Sequence, residues 1–250
     1  MRTVALVLAA GRGERLGHAL PKGLVPLAGR PLLLYALAAL EAVDEVDRLI
    51  PVVPADALDR FEQALRAARG LHKLAPAVVG GRERQDSVRA GLAALPAGVE
   101  LVAVHDAARP CVRPEAVRRV IEAARATGAA ILAVPVRDTI KRVVAGRVVE
   151  TPPRAECWAA QTPQVFRVEI LREALAKAET EGTLGTDDAQ LVEALGVPVC
   201  VVPGDADNLK ITSPEDLVWA ESLLSKGAKR SRSEPQASGG GPPQGPERNP

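Results

Sequence analysis

Aromatic residues are nearly absent from the sequence, since Phe, Trp and Tyr together make up 2% of its 250 residues. The hydrophobic fraction is nevertheless 47%, so Ala, Val and Leu side chains can supply a full core. An excess of charge of either sign is also absent, because the formal net charge is +1 at pH 7. This balance argues against an extended basic surface, and we expect no nucleic-acid partner.

Cysteine is scarce, and Cys111, Cys157 and Cys200 show no paired spacing. An odd number of unpaired cysteines argues against a disulfide framework or a zinc site and indicates a reducing compartment, so we expect a cytoplasmic protein. No apolar run approaches the roughly 18 residues that a membrane-spanning helix requires, and we expect no membrane partner. The short apolar run at the N-terminus leads directly into a charged loop, which favours a first core strand over a secretion signal.

Apolar runs typical of buried strands alternate with helical patterns along the chain. The predicted strands are residues 2–8, 48–53, 74–79, 101–104, 129–134 and 197–202. The predicted helices are residues 32–43, 56–68, 87–95, 114–127, 168–181, 187–195 and 214–225. Several strands are continuous apolar runs, as expected for parallel strands that are covered on both faces. The alternation predicts a three-layer α/β domain.

One segment interrupts the alternation. Residues 139–144 and 147–151 are strand-like and are joined across Ala145-Gly146, which predicts an inserted β-hairpin. Because an isolated hairpin is marginally stable in water, we expect it to pack on its own domain or on another subunit. From residue 226 the chain is rich in Gly, Pro and Ser and has no apolar residue larger than alanine. We therefore predict one domain at 1–225, with a hairpin arm near 137–156, and a disordered basic tail at 226–250.

A glycine-rich loop follows the first predicted strand and contains Gly11, Gly13, Arg15 and Lys22. Small residues let backbone N–H groups approach an anion, and the two cations add charge, so the loop is expected to wrap a polyphosphate. The Gly-Lys-Ser/Thr of a P-loop is absent, and no acidic residue lies between 15 and 40 to hold the ribose of a dinucleotide. A nucleotidyltransferase loop remains, with an ordinary strand-to-helix turn as the alternative.

A second candidate segment, residues 80–88, follows the third predicted strand and leads into a helix. The N–H groups of the helix N-terminus and the hydroxyl of Ser87 could bind a polar ligand edge such as a nucleobase. The same residues could equally form only a helix cap, with Asp86 or Ser87 as the capping side chain.

Charged residues follow two further strands. Asp106, after the fourth strand, is a natural Mg²⁺ ligand beside a phosphate loop, although an ion pair with Arg109 is the structural alternative. His105 is expected to be an orienting or packed residue rather than a base. Asp207 and Lys210 follow the last strand and offer a second carboxylate and another cation.

Taken together, these segments resemble the 2-C-methyl-D-erythritol 4-phosphate cytidylyltransferase family of isoprenoid precursor synthesis, in order, from about residue 2 to residue 224. The matching residues are Ala9-Ala10-Gly11-x-Gly13-x-Arg15, Pro21-Lys22, 81–88, His105-Asp106-Ala107-Ala108-Arg109-Pro110, 137–141, Gln161-Thr162-Pro163-Gln164, Thr186-Asp187-Asp188-Ala189 and Asn208-Leu209-Lys210. The order and spacing of the segments together are what make the resemblance specific. It implies a Rossmann-like nucleotidyltransferase fold.

The resemblance also implies substrates and site residues. CMP would be transferred from CTP to the methylerythritol phosphate, with Mg²⁺ as the metal and pyrophosphate as the second product. The CTP site would be lined by Ala9, Ala10, Gly11, Gly13, Gly81, Arg82, Ser87 and Ala107. The catalytic cations would be Arg15, Lys22 and Lys210, and the metal ligands Asp106 and Asp207. The acceptor substrate would be bound by Arg109, Thr139, Arg154 and Thr162, with Thr139 and Arg154 on its phosphate.

The hairpin resembles the dimerisation arm of this family, so the resemblance implies a homodimer in which Thr139 and Arg154 enter the partner's site. Two other functions stay open. A cytidylyltransferase of the same family that acts on ribitol 5-phosphate would share the CTP site. A catalytically silent nucleotide-binding module is a hypothesis of another class. The presence of Arg15, Lys22, Asp106 and Lys210 argues against it, because binding alone would not need all four.

Overall fold

The computed structural model describes residues 1–11, 16 and 20–233, with side chains described as far as residue 225. Its strands are β1 (Thr3–Leu8), β2 (Pro26–Leu27), β3 (Arg30–Pro31), β4 (Arg48–Val53), β5 (Val78–Val79), β6 (Leu101–Asp106), β7 (Ala129–Pro135), β8 (Arg142–Val144), β9 (Arg147–Glu150), β10 (Trp158–Arg167) and β11 (Cys200–Pro203). Its α-helices are α1 (Leu32–Glu41), α2 (Leu58–Ala67), α3 (Arg84–Ala93), α4 (Pro114–Thr127), α5 (Val168–Glu181), α6 (Asp188–Glu193) and α7 (Pro214–Ser233). Short 3₁₀ turns span Lys22–Leu24, Ala55–Ala57 and Arg154–Glu156.

Seven strands form one sheet in the order β11-β7-β10-β6-β1-β4-β5. β10 is antiparallel to its neighbours β6 and β7, whereas the other pairs in the sheet are parallel. The prediction of a mostly parallel α/β sheet is therefore confirmed. From β1 the chain moves to β4 and β5 on one side and then crosses to β6 on the other side. The carboxyl ends of β1 and β6 thus flank a topological switch point, which is where open α/β sheets bind ligands.

Apolar cores on both faces of the sheet hold the three layers together. Along β1, Ala5 and Val7 pack into the core under α1, α2 and α4, while Val4 and Leu6 pack under α3 and α5. Successive side chains of a strand point to opposite faces, so a strand that is buried on both faces must be apolar throughout. This is why the predicted strands read as continuous apolar runs.

The prediction missed β10, whose sequence interrupts an apolar pattern with Gln161, Thr162 and Pro163. Proline lacks a ladder donor, so a proline within a run argues against a central strand. The structure accommodates Pro163 because the pairing of β10 with β7 is irregular between Ala160 and Gln164. The irregular stretch is also where β10 turns buried polar groups toward the site described below.

Two predicted strands are shorter than expected. Only Val78–Val79 of the predicted 74–79 run is a strand, although Ala75 N donates to Leu49 O at 2.8 Å before Pro76 interrupts the pairing. The predicted 197–202 strand begins at Cys200, after Pro198. In both places a proline removes the backbone donor that the ladder needs.

Helices α4 and α5 have the predicted bounds. Helix α3 begins at Arg84 rather than at Ser87, because the backbone N–H of Glu83 donates to Oδ2 of Asp86 at 3.0 Å and closes the helix start earlier. Asp187 caps α6, accepting at Oδ1 from the Gln190 N–H at 2.9 Å. Helix α7 continues to Ser233, past its predicted end at residue 225.

The predicted hairpin is confirmed as β8 and β9, with every residue of both strands exposed. Ala145 and Gly146 join the strands with φ angles of 49° and 76°, as a two-residue turn with two left-handed positions requires. None of the helices in the described part of the chain combines the length and the hydrophobicity needed to cross a membrane.

Candidate active site

A cavity of about 580 Å³ opens at the carboxyl ends of β1 and β6, the size of a small-molecule site. It is lined by Leu8, Ala9, Ala10, Gly11, Lys22, Gly23, Gly81, Arg82, Glu83, Arg84, Ser87, Asp106, Ala107, Ala108, Lys210 and Thr212. The structure therefore brings together most of the residues that the sequence assigns to CTP and catalysis. Gly13 and Arg15 lie outside the described residues.

The first wall is the segment that leaves β1. Ala9 is anchored by its N–H, which donates to Val52 O at 2.7 Å, and Ala10 and Gly11 continue along the cavity. Lys22 begins the 3₁₀ turn that returns to this wall and also lines the cavity. Small side chains here expose backbone groups to a ligand, as predicted for a polyphosphate loop.

The second wall is the turn from β5 into α3, where two glycines are sterically required. A Cβ on Gly80 would lie 2.7 Å from Oγ of Ser87 and 2.9 Å from Cβ of Ala10, and a Cβ on Gly81 would overlap Asp86. The Gly81 N–H donates to Oγ of Ser87 at 3.2 Å, and that hydroxyl lies 3.3 Å from Glu83 O, to which it donates. Ser87 thus ties the turn to the helix start, while the absence of a side chain at Gly80 lets this wall pack closely against Ala10 of the first wall.

Asp106 lies on the cavity wall between two cations. Its Oδ2 is 2.7 Å from Nζ of Lys210, and its Oδ1 is 3.6 Å from Nε of Arg84. Lys210 reaches this position because the next residue, Ile211, donates its N–H to Ala108 O at 2.8 Å. Burial alone would raise the pKa of Asp106, but the charges of Arg84 and Lys210 outweigh it and hold the pKa well below its usual range. The carboxylate is therefore ionised at neutral pH.

Arg84 is a cavity residue that the sequence reasoning did not single out. Its Nη1 lies 2.7 Å from Oδ2 of the fully buried Asp188, and its Nε faces Asp106. Burial would lower the pKa of Arg84, but Asp188 and Asp106 raise it, so the guanidinium stays charged. The signal that could have found it is the Glu83–Asp86 capping pair, which makes Arg84 the first helical residue.

A buried network supports Asp106 from beneath. Its backbone N–H donates to Oγ1 of Thr162 at 3.0 Å, and that hydroxyl donates to Nδ1 of His105 at 3.1 Å. Nε2 of His105 faces Arg109 O at 3.2 Å and so carries the ring proton. Burial lowers the pKa of His105 to about 4, so the imidazole is neutral, in line with the expected packing role. Thr162 is itself buried and, among the described residues, is not on the cavity wall.

Arg109 lies beside the cavity and joins two of its supporting segments. Nη1 donates to Asn208 O at 2.7 Å, and Nη2 donates to Ala160 O at 3.2 Å. The side-chain amide of Asn208 donates to Thr162 O at 2.9 Å, so the loop before Lys210 is fixed to β10. The ion pair with Asp106, the structural alternative for Arg109, does not form; within the described part of the chain Asp106 pairs with Arg84 and Lys210 instead.

Besides Thr162 and Arg109, three further predicted site residues among the described ones do not line the cavity. Oδ2 of Asp207 accepts from Arg113 at 2.7 Å, and Asp207 does not line the cavity, so the second metal ligand has no geometric support. Thr139 and Arg154 are exposed near the hairpin and do not line the cavity of their own chain. No cluster of three or more His, Cys, Asp or Glu residues suited to a metal occurs in the described part of the chain.

Comparisons with known proteins agree with the geometry. The model of the 2-C-methyl-D-erythritol 4-phosphate cytidylyltransferase family matches residues 3–226. A protein of that name from Geobacillus kaustophilus is 45% identical over 224 residues, covering 90% of this chain and 97% of the relative. One from Geotalea uraniireducens is also 45% identical, over 226 residues, with the same coverage.

Solved structures resemble the whole domain. The crystal structure of 2-C-methyl-D-erythritol 4-phosphate cytidylyltransferase from Thermus thermophilus has a TM-score of 0.74 and 39% identity, covering 90% of this chain and 100% of that one. The structure of 4-diphosphocytidyl-2C-methyl-D-erythritol synthase from Anaerococcus prevotii has a TM-score of 0.80 and 32% identity, covering 90% and 96%.

Proposed function

The chain belongs to the 2-C-methyl-D-erythritol 4-phosphate cytidylyltransferase family, and on this premise we propose that its cavity transfers CMP from CTP to 2-C-methyl-D-erythritol 4-phosphate. The observation that carries the proposal is one nucleotide-sized cavity. It joins the small-residue wall at Ala9–Gly11 to the charged group formed by Lys22, Asp106 and Lys210. The methylerythritol substrate is favoured over ribitol 5-phosphate, since the relatives at 45% identity carry the methylerythritol name.

The reaction is an in-line displacement at phosphorus. A phosphate oxygen of the acceptor forms a bond to the α-phosphorus of CTP, and the bond from that phosphorus to the bridging oxygen of the β-phosphate breaks. Pyrophosphate leaves with the electron pair. The second pKa of a phosphate monoester is about 6, so the attacking oxygen is ionised at neutral pH and needs no general base. His105 fits this account because both of its ring nitrogens are already used inside the protein.

The protein contributes position and positive charge. Lys22 and Lys210 line the cavity, and Arg15 is predicted to join them from the glycine-rich loop. These cations would stabilise the negative charge that develops on the transferring phosphoryl group and on pyrophosphate. Loss of one of them is expected to lower turnover by about 10²–10³-fold, by analogy with the loss of one oxyanion donor.

The residues present fit a magnesium ion held jointly with the substrate. Mg²⁺ is usually bound by one or two carboxylates together with substrate phosphates, rather than by an all-protein cage. Asp106 is ionised, lies on the cavity wall and is held in place by its backbone bond to Thr162. Bound Mg²⁺ would neutralise phosphate charge, and Asp106 would hold it. Asp207 is not included, because it pairs with Arg113 away from the cavity.

The hairpin is proposed to complete the acceptor site of a second copy. Four valines of β8 and β9 are 49–59% exposed, and Trp158 at the base of the arm is 41% exposed, so the arm presents an apolar surface to solvent in a single chain. Thr139 and Arg154 flank the two strands of the arm and lie outside their own cavity. A homodimer would bury the arm and bring both side chains to the acceptor phosphate in the partner's cavity.

The three unpaired cysteines support the expected cytoplasmic location.

Substrate selection tests the proposed reaction. Pyrophosphate release would be measured with Mg²⁺ and each of CTP, ATP, GTP and UTP, paired first with 2-C-methyl-D-erythritol 4-phosphate and then with ribitol 5-phosphate. We expect turnover with CTP and the methylerythritol phosphate. Turnover with ribitol 5-phosphate alone would identify ribitol 5-phosphate as the acceptor. If no pair of substrates released pyrophosphate, a nucleotide-binding module would be favoured.

Subunit mixing tests the proposed arm. Lys22→Ala and Arg154→Ala would each be purified as inactive proteins and then mixed under exchange conditions. If Arg154 acts in the partner's cavity, each mixed dimer contains one intact site and activity returns. If it acts in its own chain, no intact site forms. A mixture of Lys22→Ala with Lys210→Ala is the matched control, since both changes lie in the chain's own cavity and activity should stay absent.

A further inference from the structure

Four side chains of alternating charge form a line from the protein interior to the cavity. Asp188 lies 2.7 Å from Nη1 of Arg84, Nε of Arg84 lies 3.6 Å from Asp106, and Asp106 lies 2.7 Å from Nζ of Lys210. The last three residues line the cavity, whereas Asp188 does not. The inner end of the line is therefore a carboxylate that cannot touch a bound nucleotide directly.

Asp188 is fixed by its backbone as well as by burial. Its side chain is completely buried at the first residue of α6. The backbone N–H groups of Asp188 and Ala189 both donate to Oε1 of Gln164 at 3.1 Å, so β10 fixes the start of this helix. Apart from the ion pair with Arg84, neither carboxylate oxygen of Asp188 has a hydrogen-bond partner among the described residues. The guanidinium of Arg84 is thus the close contact that partly offsets the burial of the Asp188 carboxylate.

The two carboxylates compete for one guanidinium. Coulomb attraction falls with distance and is strongest where water is excluded, so the 2.7 Å contact with Asp188 holds Arg84 more firmly than the 3.6 Å contact with Asp106. Without Asp188, Arg84 would keep only the longer of these two contacts, the 3.6 Å contact with Asp106, and its guanidinium would no longer be fixed in one place on the cavity wall. With Asp188 in place, the guanidinium stays at the wall and Asp106 keeps its close contact with Lys210.

We propose that Asp188 is a positioning residue that holds Arg84 at the cavity wall, where its guanidinium binds the triphosphate of CTP. The proposal rests on the proposed cytidylyltransferase function. A guanidinium suits this task because its planar donors match phosphate oxygens, and a fixed side chain loses little entropy when the ligand binds. A purely structural ion pair is the competing account, and it makes a different prediction for paired substitutions.

The experiment uses the full chain and four variants. Arg84→Gln removes the cation, Asp188→Asn removes the buried charge, and the double variant removes both. Glu193→Gln is the matched control, because it makes the same charge change at an exposed position of the same helix. For each protein the melting temperature, the Kd for CTP by calorimetry and the kcat and KM for both substrates would be measured.

We expect each single variant to melt at a lower temperature, since it leaves one buried charge unpaired, and the double variant to recover part of that loss. Affinity for CTP should not recover. Arg84→Gln is expected to weaken kcat/KM for CTP by about 10²–10³-fold, as for the loss of one cationic donor. Asp188→Asn should weaken it by about 10–100-fold, as for outer partners of a ligating group. The double variant should match Arg84→Gln, and Glu193→Gln should match the parent protein.

Recovery of both stability and CTP affinity in the double variant would overturn the proposal and leave a structural pair. CTP affinity in Arg84→Gln equal to that of the parent protein would overturn it as well. If Asp188→Asn does not fold, the comparison of Arg84→Gln with the double variant still decides: equal Kd values support the proposal, and a further loss contradicts it. Failure of the proposed function can be distinguished from failure of the Asp188 proposal, because in the first case the parent protein itself would release no pyrophosphate.

Discussion

Replacing Thr162 with Val tests whether the buried network under Asp106 holds the site together. The hydroxyl of Thr162 accepts from the Asp106 N–H at 3.0 Å and donates to Nδ1 of His105 at 3.1 Å. Valine has nearly the same shape, so the change removes two hydrogen bonds without leaving a large cavity. It leaves a buried donor and a buried acceptor without partners, and each such group costs about 1–3 kcal/mol.

The expected loss in the free energy of unfolding is therefore about 2–6 kcal/mol, a large fraction of the roughly 5–15 kcal/mol that stabilises a typical domain. Activity should fall too, because a shift of about 1 Å in a site residue can lower the rate by about 10²-fold. Urea unfolding followed by circular dichroism gives the stability, and pyrophosphate release gives the rate.

Thr162→Ser is the control for this experiment, since serine keeps the hydroxyl and loses one methyl group. The lost methyl should cost about 1 kcal/mol and leave kcat nearly unchanged. If the valine variant is as stable and as active as the serine variant, the hydroxyl does not position Asp106 and the reasoning is refuted.

Contacts at Gly80, Arg109 and Cys111 give three further predictions. Gly80→Ala should raise the KM for CTP about tenfold, because the Cβ of the new alanine would lie 2.7 Å from Oγ of Ser87 and 2.9 Å from Cβ of Ala10. An unchanged KM in steady-state kinetics would contradict the close packing of the two walls. Arg109→Gln should lower the free energy of unfolding by about 2–4 kcal/mol, because it removes the hydrogen bonds to Asn208 O and Ala160 O. A loss below about 1 kcal/mol in urea unfolding would show that these two bonds do not join the loop before Lys210 to β10. Burial raises the pKa of Cys111 to about 11, so its thiol is protonated at pH 8. It should therefore react with iodoacetamide about 100-fold more slowly than free cysteine at pH 8, and the reaction rate should rise toward pH 11. Mass spectrometry that finds Cys111 alkylated as fast as free cysteine at pH 8 would contradict this burial.

Local sequence signals were sufficient where one segment determines the structure. Ala145-Gly146 predicted the hairpin turn, and Pro114 at the first position of α4 predicted a helix with the observed bounds. Lys22, Ser87 and Asp106 also follow from linear motifs, because each motif lies at or beyond the carboxyl end of a parallel strand, and these strands end at the same edge of the sheet. Strand topology therefore converts short motifs into one site.

The remaining features depend on partners far apart in the sequence. Arg84 pairs with Asp188, more than a hundred positions later, and no local pattern distinguishes that aspartate from an ordinary early acid of a helix. β10 was missed because Pro163 reads as a strand breaker until its irregular pairing with β7 is seen. The direction of the Thr162 hydroxyl, into the protein and onto Asp106, likewise depends on that irregular strand.

The central claim is that the cavity joins the phosphate of the acceptor to the α-phosphorus of CTP. The most direct test uses 2-C-methyl-D-erythritol 4-phosphate with ¹⁸O in its phosphate group and follows the products by ³¹P NMR and mass spectrometry. The account predicts a new diphosphate linkage that retains all of the ¹⁸O, and pyrophosphate that contains none. Labelled pyrophosphate, or release of CMP without a new linkage, would contradict it.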